Sequence, residues 1–206
     1  GGHVMNLSHM NKVKGSLLLE DGTGRITVEP GINLIDLEKE IGAAFRKAPQ
    51  FWPPDPTETS ATVGGIAATN AQGISRLLYG PARKYIESVR LVTGDGRVLT
   101  AEKGQKLALP SGRVIDWIDV VMGKEGITGA ISELTLKLLP KPESVWGIAF
   151  FFGKAEEAGR FVDILRQDMP ACEHAAVAAV EYMDRAAMDL IEKHKETMTK
   201  IKELPD

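Results

Sequence analysis

The chain of 206 residues has one cysteine, Cys172, so it can close no internal disulfide. That fits a reducing compartment, and the expected location is cytoplasmic, peripheral to a membrane only through partners. Cys172 reads as a small apolar core residue, not a nucleophile. The net charge of −3 gives no basic field for nucleic acid. No apolar run reaches about 18 residues, so no spanning helix is expected. No secretory leader is visible, because Gly1-Gly2 open a stretch that already reads as folded sequence. The four histidines, His3, His9, His174 and His194, are not spaced as a ligand pair, which argues against a metal site. What remains is ordinary for a soluble globular protein: 43% hydrophobic and 26% charged residues, enough for one large domain or one and a half smaller ones.

The organising stretch is 51–80, FWPPDPTETSATVGGIAATNAQGISRLLYG. It is too rich in Gly, Pro, Ser and Thr for a plain helix or strand, and too hydrophobic for a disordered linker. It reads as a long functional loop. Gly64 and Gly65 carry no Cβ, so their N–H groups can lie close to a bulky ligand. Thr57, Thr59, Ser60 and Thr62 surround them with hydroxyls. Such a surface suits a phosphate or a flavin edge; an ordinary Gly-rich turn is the alternative.

Upstream, 3–7 reads as a short strand. Segments 16–20 and 25–29 flank Asp21-Gly22-Thr23-Gly24, a hairpin signal. Asn33 caps an amphipathic helix over 33–46, with Leu34, Leu37, Ile41 and Phe45 at helical spacing. Downstream, 85–93 and 97–100 form a hairpin around Gly94-Asp95-Gly96. Segment 103–112 reads as irregular, and 115–122 as a short helix carrying Trp117. Gly123, Gly126 and Gly129 punctuate a tight turn. Segment 131–138 alternates as a half-buried strand, with Leu134, Leu136 and Leu138 on one face. Pro140-Lys141-Pro142 ends it and marks a domain boundary. Beyond it, 146–152 and 175–180 read as strands and 154–168 and 184–202 as helices, the opening of an α/β unit.

The order PPDPTE, TVGG, N-A-x-G, YG resembles the FAD-binding (PCMH-type) domain of the vanillyl-alcohol oxidase superfamily. The branch it looks most like is the FAD-linked D-lactate dehydrogenase and glycolate oxidase group. YIESVRLVTGDGRVLT and GKEGITGAISELTLKLLPKP continue the likeness, as do GGHVMNLSHMNKV and RITVEPGINLIDLEKEI. The resemblance implies an α+β fold, with an N-terminally incomplete FAD-binding domain over 1–142 and the beginning of a substrate or cap domain over 143–206. It implies FAD as cofactor. The contacts would come from Pro54, Asp55, Pro56, Thr62, Val63, Gly64, Gly65, Asn70, Gly73, Tyr79 and Gly80, then Glu125, Gly126, Gly129 and Ile131. Glu125 could instead cap or pair on the surface. The implied activity is oxidation of a 2-hydroxy acid, D-lactate or glycolate, by hydride transfer to flavin. Electrons would pass to an acceptor protein or quinone. The alternatives are a non-catalytic flavin-holding or subunit-docking module, or the aryl-alcohol or ether-lipid branch.

The family's R-G-x-G-T-type phosphate loop and its histidine-rich substrate motif do not occur in this sequence. The expectation is therefore a fragment or one piece of a split enzyme, with other subunits or a homo-oligomer as partners. No catalytic residue is assigned. Asp55 and Glu58 lie close in sequence, but a Pro-rich loop fixes no geometry between them.

Overall fold

A computed structural model describes residues 3–168 and 175–194. Cys172, His174 and residues 195–202 of the expected last helix lie outside the described residues. The chain divides into two compact units, Gly1–Trp146 and Gly147–Asp206.

The first unit is built on an antiparallel sheet. Strands β1 (Val13–Leu18) and β2 (Gly24–Val28) form the first hairpin. Its turn is held by Asp21, whose carboxylate accepts from the N–H and hydroxyl of Thr23 at 2.9 and 2.7 Å. Helix α1 (Leu34–Ala44) follows, capped as expected: the Asn33 side chain accepts from the Asp36 N–H at 2.8 Å. A two-residue strand β3 (Gln50–Phe51) leads into the Gly-rich stretch. Strands β4 (Ile86–Val92) and β5 (Val98–Glu102) form the second hairpin. The long strand β8 (Ala130–Pro140) runs through the middle, giving the order β1-β2-β8-β4-β5, with β3 also paired to β8.

Alternation sets the core. Leu134, Leu136 and Leu138 of β8 are fully buried, as the period-two pattern requires. Ile26 and Val28 of β2 and Ile86, Val89 and Leu91 of β4 join them. Leu37 and Ile41 of α1 close over the same cluster. The alternate face is polar. There Thr27 and Thr135 share a hydrogen bond at 3.0 Å, and Glu87 pairs with Arg25 at 3.1 Å and with Lys103 at 3.5 Å.

Several expectations are corrected. Residues 3–7 are not a strand. Segment 103–112 is partly regular: β6 (Lys106–Ala108) pairs with β7 (Val114–Asp116). The helix expected over 115–122 shortens to a 3-10 turn, Trp117–Val120, because Ile115 and Asp116 are already in β7. Stretch 51–80 is not loop throughout. It holds α2 (Val63–Thr69), α3 (Arg76–Tyr79) and a 3-10 turn begins just beyond it at Ala82–Tyr85. Two glycines disfavour a helix, but burying Val63, Ile66 and Ala67 in the core outweighs that.

In the second unit, α4 (Ala155–Asp168) and α5 (Arg185–His194) match the expected helices within the described residues. Phe161 of α4 stacks with Phe150 and Phe152, ring centroids 4.5 and 5.5 Å apart. The strands expected at 146–152 and 175–180 do not form. Neither segment has a partner strand among the described residues, and an unpaired extended segment makes no ladder. Their large side chains stay in solvent, Phe151 at 66% exposure.

Candidate functional site

The two glycines of TVGG have opposite environments. The Gly64 N–H donates to the Pro30 carbonyl at 2.8 Å. A Cβ placed on Gly64 would stand 2.5 Å from the Pro30 Cβ, so this glycine lets α2 press against the β2–α1 connection. Val63 is anchored the same way, its N–H donating to Ile32 O at 2.9 Å. Gly65 is exposed. Its N–H is taken by the capping Thr62 Oγ1 at 3.3 Å, and a Cβ there would meet only that oxygen, at 3.2 Å. The expectation that both glycines offer free N–H groups is therefore corrected, since the first turn of α2 uses its own. What α2 does offer outward is the uncovered Cα of Gly65.

Two further segments lock onto α2. At its C-terminal end Asn70 is left-handed, φ 48° and ψ 48°, and its side-chain oxygen accepts from the Arg83 N–H at 3.1 Å. The Gly123 and Glu125 N–H groups donate to Ala67 O at 3.1 Å and Ala68 O at 2.8 Å. These bonds satisfy carbonyls a helix end would otherwise leave open. The second glycine segment is thus docked directly on the first. Gly126 and Gly129 continue that turn at φ 82° and 150°. Gly129 passes so close to β4 that a Cβ would stand 2.5 Å from Val92 O. Ile131 then enters β8 opposite Leu91, its side chain buried.

Asp55 binds inside the protein. Its carboxylate accepts from Ser75 Oγ at 2.6 Å and from the Ser75 N–H at 3.2 Å. Gly73 is the residue that permits this, for a Cβ there would lie 2.0 Å from Asp55 Oδ1. Pro54 is buried, and Pro56 half-buried. Tyr79 sets its ring edge-on to Phe51, centroids 5.5 Å apart, and its carbonyl accepts from the Tyr85 hydroxyl at 2.9 Å. Burial, and secondarily Tyr79, pushes the Tyr85 phenol up, so it stays a donor at neutral pH. Gly80 turns the chain at φ 80°.

All fifteen residues singled out from the sequence belong to this network of segments. Val63, Gly64, Pro54 and Ile131 face inward. Gly65, Glu125 and Gly126 face solvent, with Asp55, Pro56, Thr62, Asn70, Gly73, Tyr79, Gly80 and Gly129 between. The exposed Thr57, Thr59 and Ser60 lie just ahead of α2. Bare main chain beside hydroxyls and one carboxylate suits an elongated ligand with a flat apolar body and polar edges, as a flavin dinucleotide is. Sequence reading missed the inward partners: Pro30, Ile32, Ser75 and Arg83. Three of these act through main-chain atoms, which carry no side-chain signal. Among the described residues no group of His, Cys, Asp or Glu could hold a metal. No described helix is long and apolar enough to cross a membrane.

The chain is similar to known proteins. Residues 1–102 match the model of an FAD binding domain. The chain is 30% identical over 193 residues to a D-lactate dehydrogenase of Anaerostipes hadrus, covering 94% of this chain and 38% of that protein. It is 28% identical over 196 residues to the glycolate oxidase subunit GlcD of Bacillus subtilis, again 94% of this chain and 38% of the other. A solved alkyldihydroxyacetonephosphate synthase superposes with a TM-score of 0.51 at 28% identity, over 66% of this chain and 24% of that one. The chain thus spans under two-fifths of the length of these curated relatives. Through residues 1–102 it belongs to the family of FAD binding domains, and its cofactor is FAD.

Proposed function

We propose that this chain is the flavin-holding part of an FAD-dependent oxidoreductase that oxidises a 2-hydroxy acid such as D-lactate or glycolate. The observation that carries the reading is the docking of the Gly123–Gly129 turn onto α2 through Ala67 and Ala68, which makes one rigid seat of two separate glycine segments. The relatives' names, D-lactate dehydrogenase and glycolate oxidase subunit, supply the substrate class. Bound FAD supplies the two-electron acceptor chemistry. The chain's own residues position it. Gly65 and Gly126 allow close main-chain approach. Thr62, Asn70, Gly73, Gly80 and Gly129 fix the surrounding backbone. Asp55 and Tyr79 brace the wall, and Pro54, Pro56, Val63, Gly64 and Ile131 support it from behind.

A proton acceptor for the substrate is not assigned to any residue of this chain. Electrons leave to an acceptor protein or quinone, and other subunits complete the enzyme; the word "subunit" in the GlcD name supports that. The cytoplasm suits a chain with one cysteine. The test is reduction of a dye acceptor by the FAD-loaded chain with a panel of 2-hydroxy acids. Turnover with D-lactate or glycolate supports the reading. Flavin retention without turnover favours the second reading, a holding or docking module that acts only within a larger assembly. The likeness to an alkyldihydroxyacetonephosphate synthase keeps the ether-lipid branch in the same panel.

A further inference from the structure

Strand β1 is an edge of the sheet, and among the described residues no strand pairs with its outer side. An open edge is a template for another strand unless charge, proline or a bulge blocks it. The first half of β1 is blocked in that way: Lys12 and Lys14 flank Val13, and the register shifts between Val13 and Gly15. The second half has no such guard, and Leu17 and Leu18 are 58% and 45% exposed. The Leu19 N–H donates to Thr23 O at 2.8 Å, so alternation turns the N–H and C=O of Ser16 and Leu18 away from β2.

Beside this edge lies a cavity of about 390 Å³. Leu18 and Phe45 form its apolar side, and Ser16, Arg46 and Lys47 its polar side. Leu18 stands opposite Gly24, and a Cβ on Gly24 would meet the Phe45 ring at 3.2 Å, so Ser16 and Leu18 share the α1 face of the sheet. Arg46 and Lys47 are exposed, and neither makes an ion pair or side-chain hydrogen bond among the described residues. Such an edge fits an extended strand that brings an apolar side chain and, two residues on, a carboxylate. β1 carries that pattern itself in Leu18 and Glu20, and the Glu20 carboxylate is exposed and likewise has no ion pair among the described residues.

We infer that β1 of a second copy of this chain completes this edge, antiparallel about a two-fold axis at Leu18. Leu18 then faces Leu18 of the other copy, and each Glu20 lies opposite Ser16 of the other, at the cavity that Arg46 and Lys47 rim. The pairing joins the outward N–H and C=O groups of Ser16 and Leu18, and its symmetry fills both cavities at once. Like charges do not meet across it: Asp21 falls opposite Gly15, and Lys14 opposite Gly22. The inference is independent of the flavin.

The test is the mass in solution of the 206-residue chain, without flavin, followed by sedimentation equilibrium at rising concentration. The wild type should pass from the monomer mass to twice that mass. Leu18→Lys should stay at the monomer mass with unchanged circular dichroism. Glu20→Arg should weaken dimerisation at least tenfold, as should Arg46→Glu combined with Lys47→Glu, and the three changes together should restore it. Glu20, Arg46 and Lys47 are all exposed, so the charge variants decide the matter even where Leu18→Lys misfolds. A wild type that stays monomeric overturns the inference. So does a Leu18→Lys chain that still doubles its mass, since another surface would then join the copies, and so does a charge exchange that restores nothing.

Discussion

The Gly64 N–H donates to the Pro30 carbonyl at 2.8 Å, and the two residues touch so closely that no side chain fits between them. Gly64 is therefore a packing glycine and Gly65, its exposed neighbour, is not. Gly64→Ala should destabilise the chain by about 1–3 kcal/mol, the usual cost of overpacking. Gly65→Ala should leave the urea midpoint unchanged or slightly higher, since alanine favours the helix by about 1 kcal/mol. Urea unfolding of the two variants side by side checks this. Equal midpoints would remove the distinction.

The contact of Asp55 with Ser75 makes a second, independent test. Ser75→Ala removes the hydroxyl but leaves the Ser75 N–H bond, and should cost about 1 kcal/mol in unfolding free energy. Gly73→Ala should cost more, because its Cβ would fall within 2.0 Å of Asp55 Oδ1. If both variants unfold like the wild type, the clasp does not form in solution.

Much of this was legible from the residues. Asp21-Gly22-Thr23-Gly24 and Gly94-Asp95-Gly96 announce their hairpins through turn chemistry, and the Asn33 cap is local. Leu134, Leu136 and Leu138 show their shared face by alternation alone. Stretch 51–80 hid its helix because propensity counts against Val63-Gly64-Gly65, while the burial that forms α2 is tertiary. Segments 146–152 misled for the opposite reason: their composition is that of a strand, but a strand needs a partner. In the site, sequence could name Gly64 and Gly65 but not separate them. Only the position of Pro30, far back in the chain, tells the packing glycine from the exposed one.

That missing partner has a measurable result. Residues 131–136 pair with β4 and residues 134–138 with β2, so the amides of Ile131–Leu138 should be strongly protected in hydrogen exchange. Amides of 146–152 have no such ladder and should exchange far faster. Exchange followed by mass spectrometry distinguishes the two, and comparable protection would mean that another chain covers the apolar segment.

Part of the acid sensitivity should trace to Asp116. Its partial burial raises its pKa. The N–H groups of Gly104 and Ile118, with the charges of Lys106 and Arg83, together outweigh that, so the folded value lies below the ordinary one. A depressed carboxylate stabilises the fold above its unfolded pKa of about 3.9. That contribution is lost as pH falls through the folded value. Asp116→Asn should therefore lower stability at pH 7 and flatten the loss seen below about pH 4. Urea midpoints of both proteins between pH 7 and the acid limit check the slope; parallel curves would clear Asp116.

The central claim is that bare main chain at Gly65 lies against FAD. Titrating the wild type and Gly65→Val with FAD, followed by quenching of flavin fluorescence, tests it most directly. The account predicts saturable one-to-one binding by the wild type, and none by a Gly65→Val chain whose circular dichroism is unchanged. Equal binding by the two proteins would contradict it.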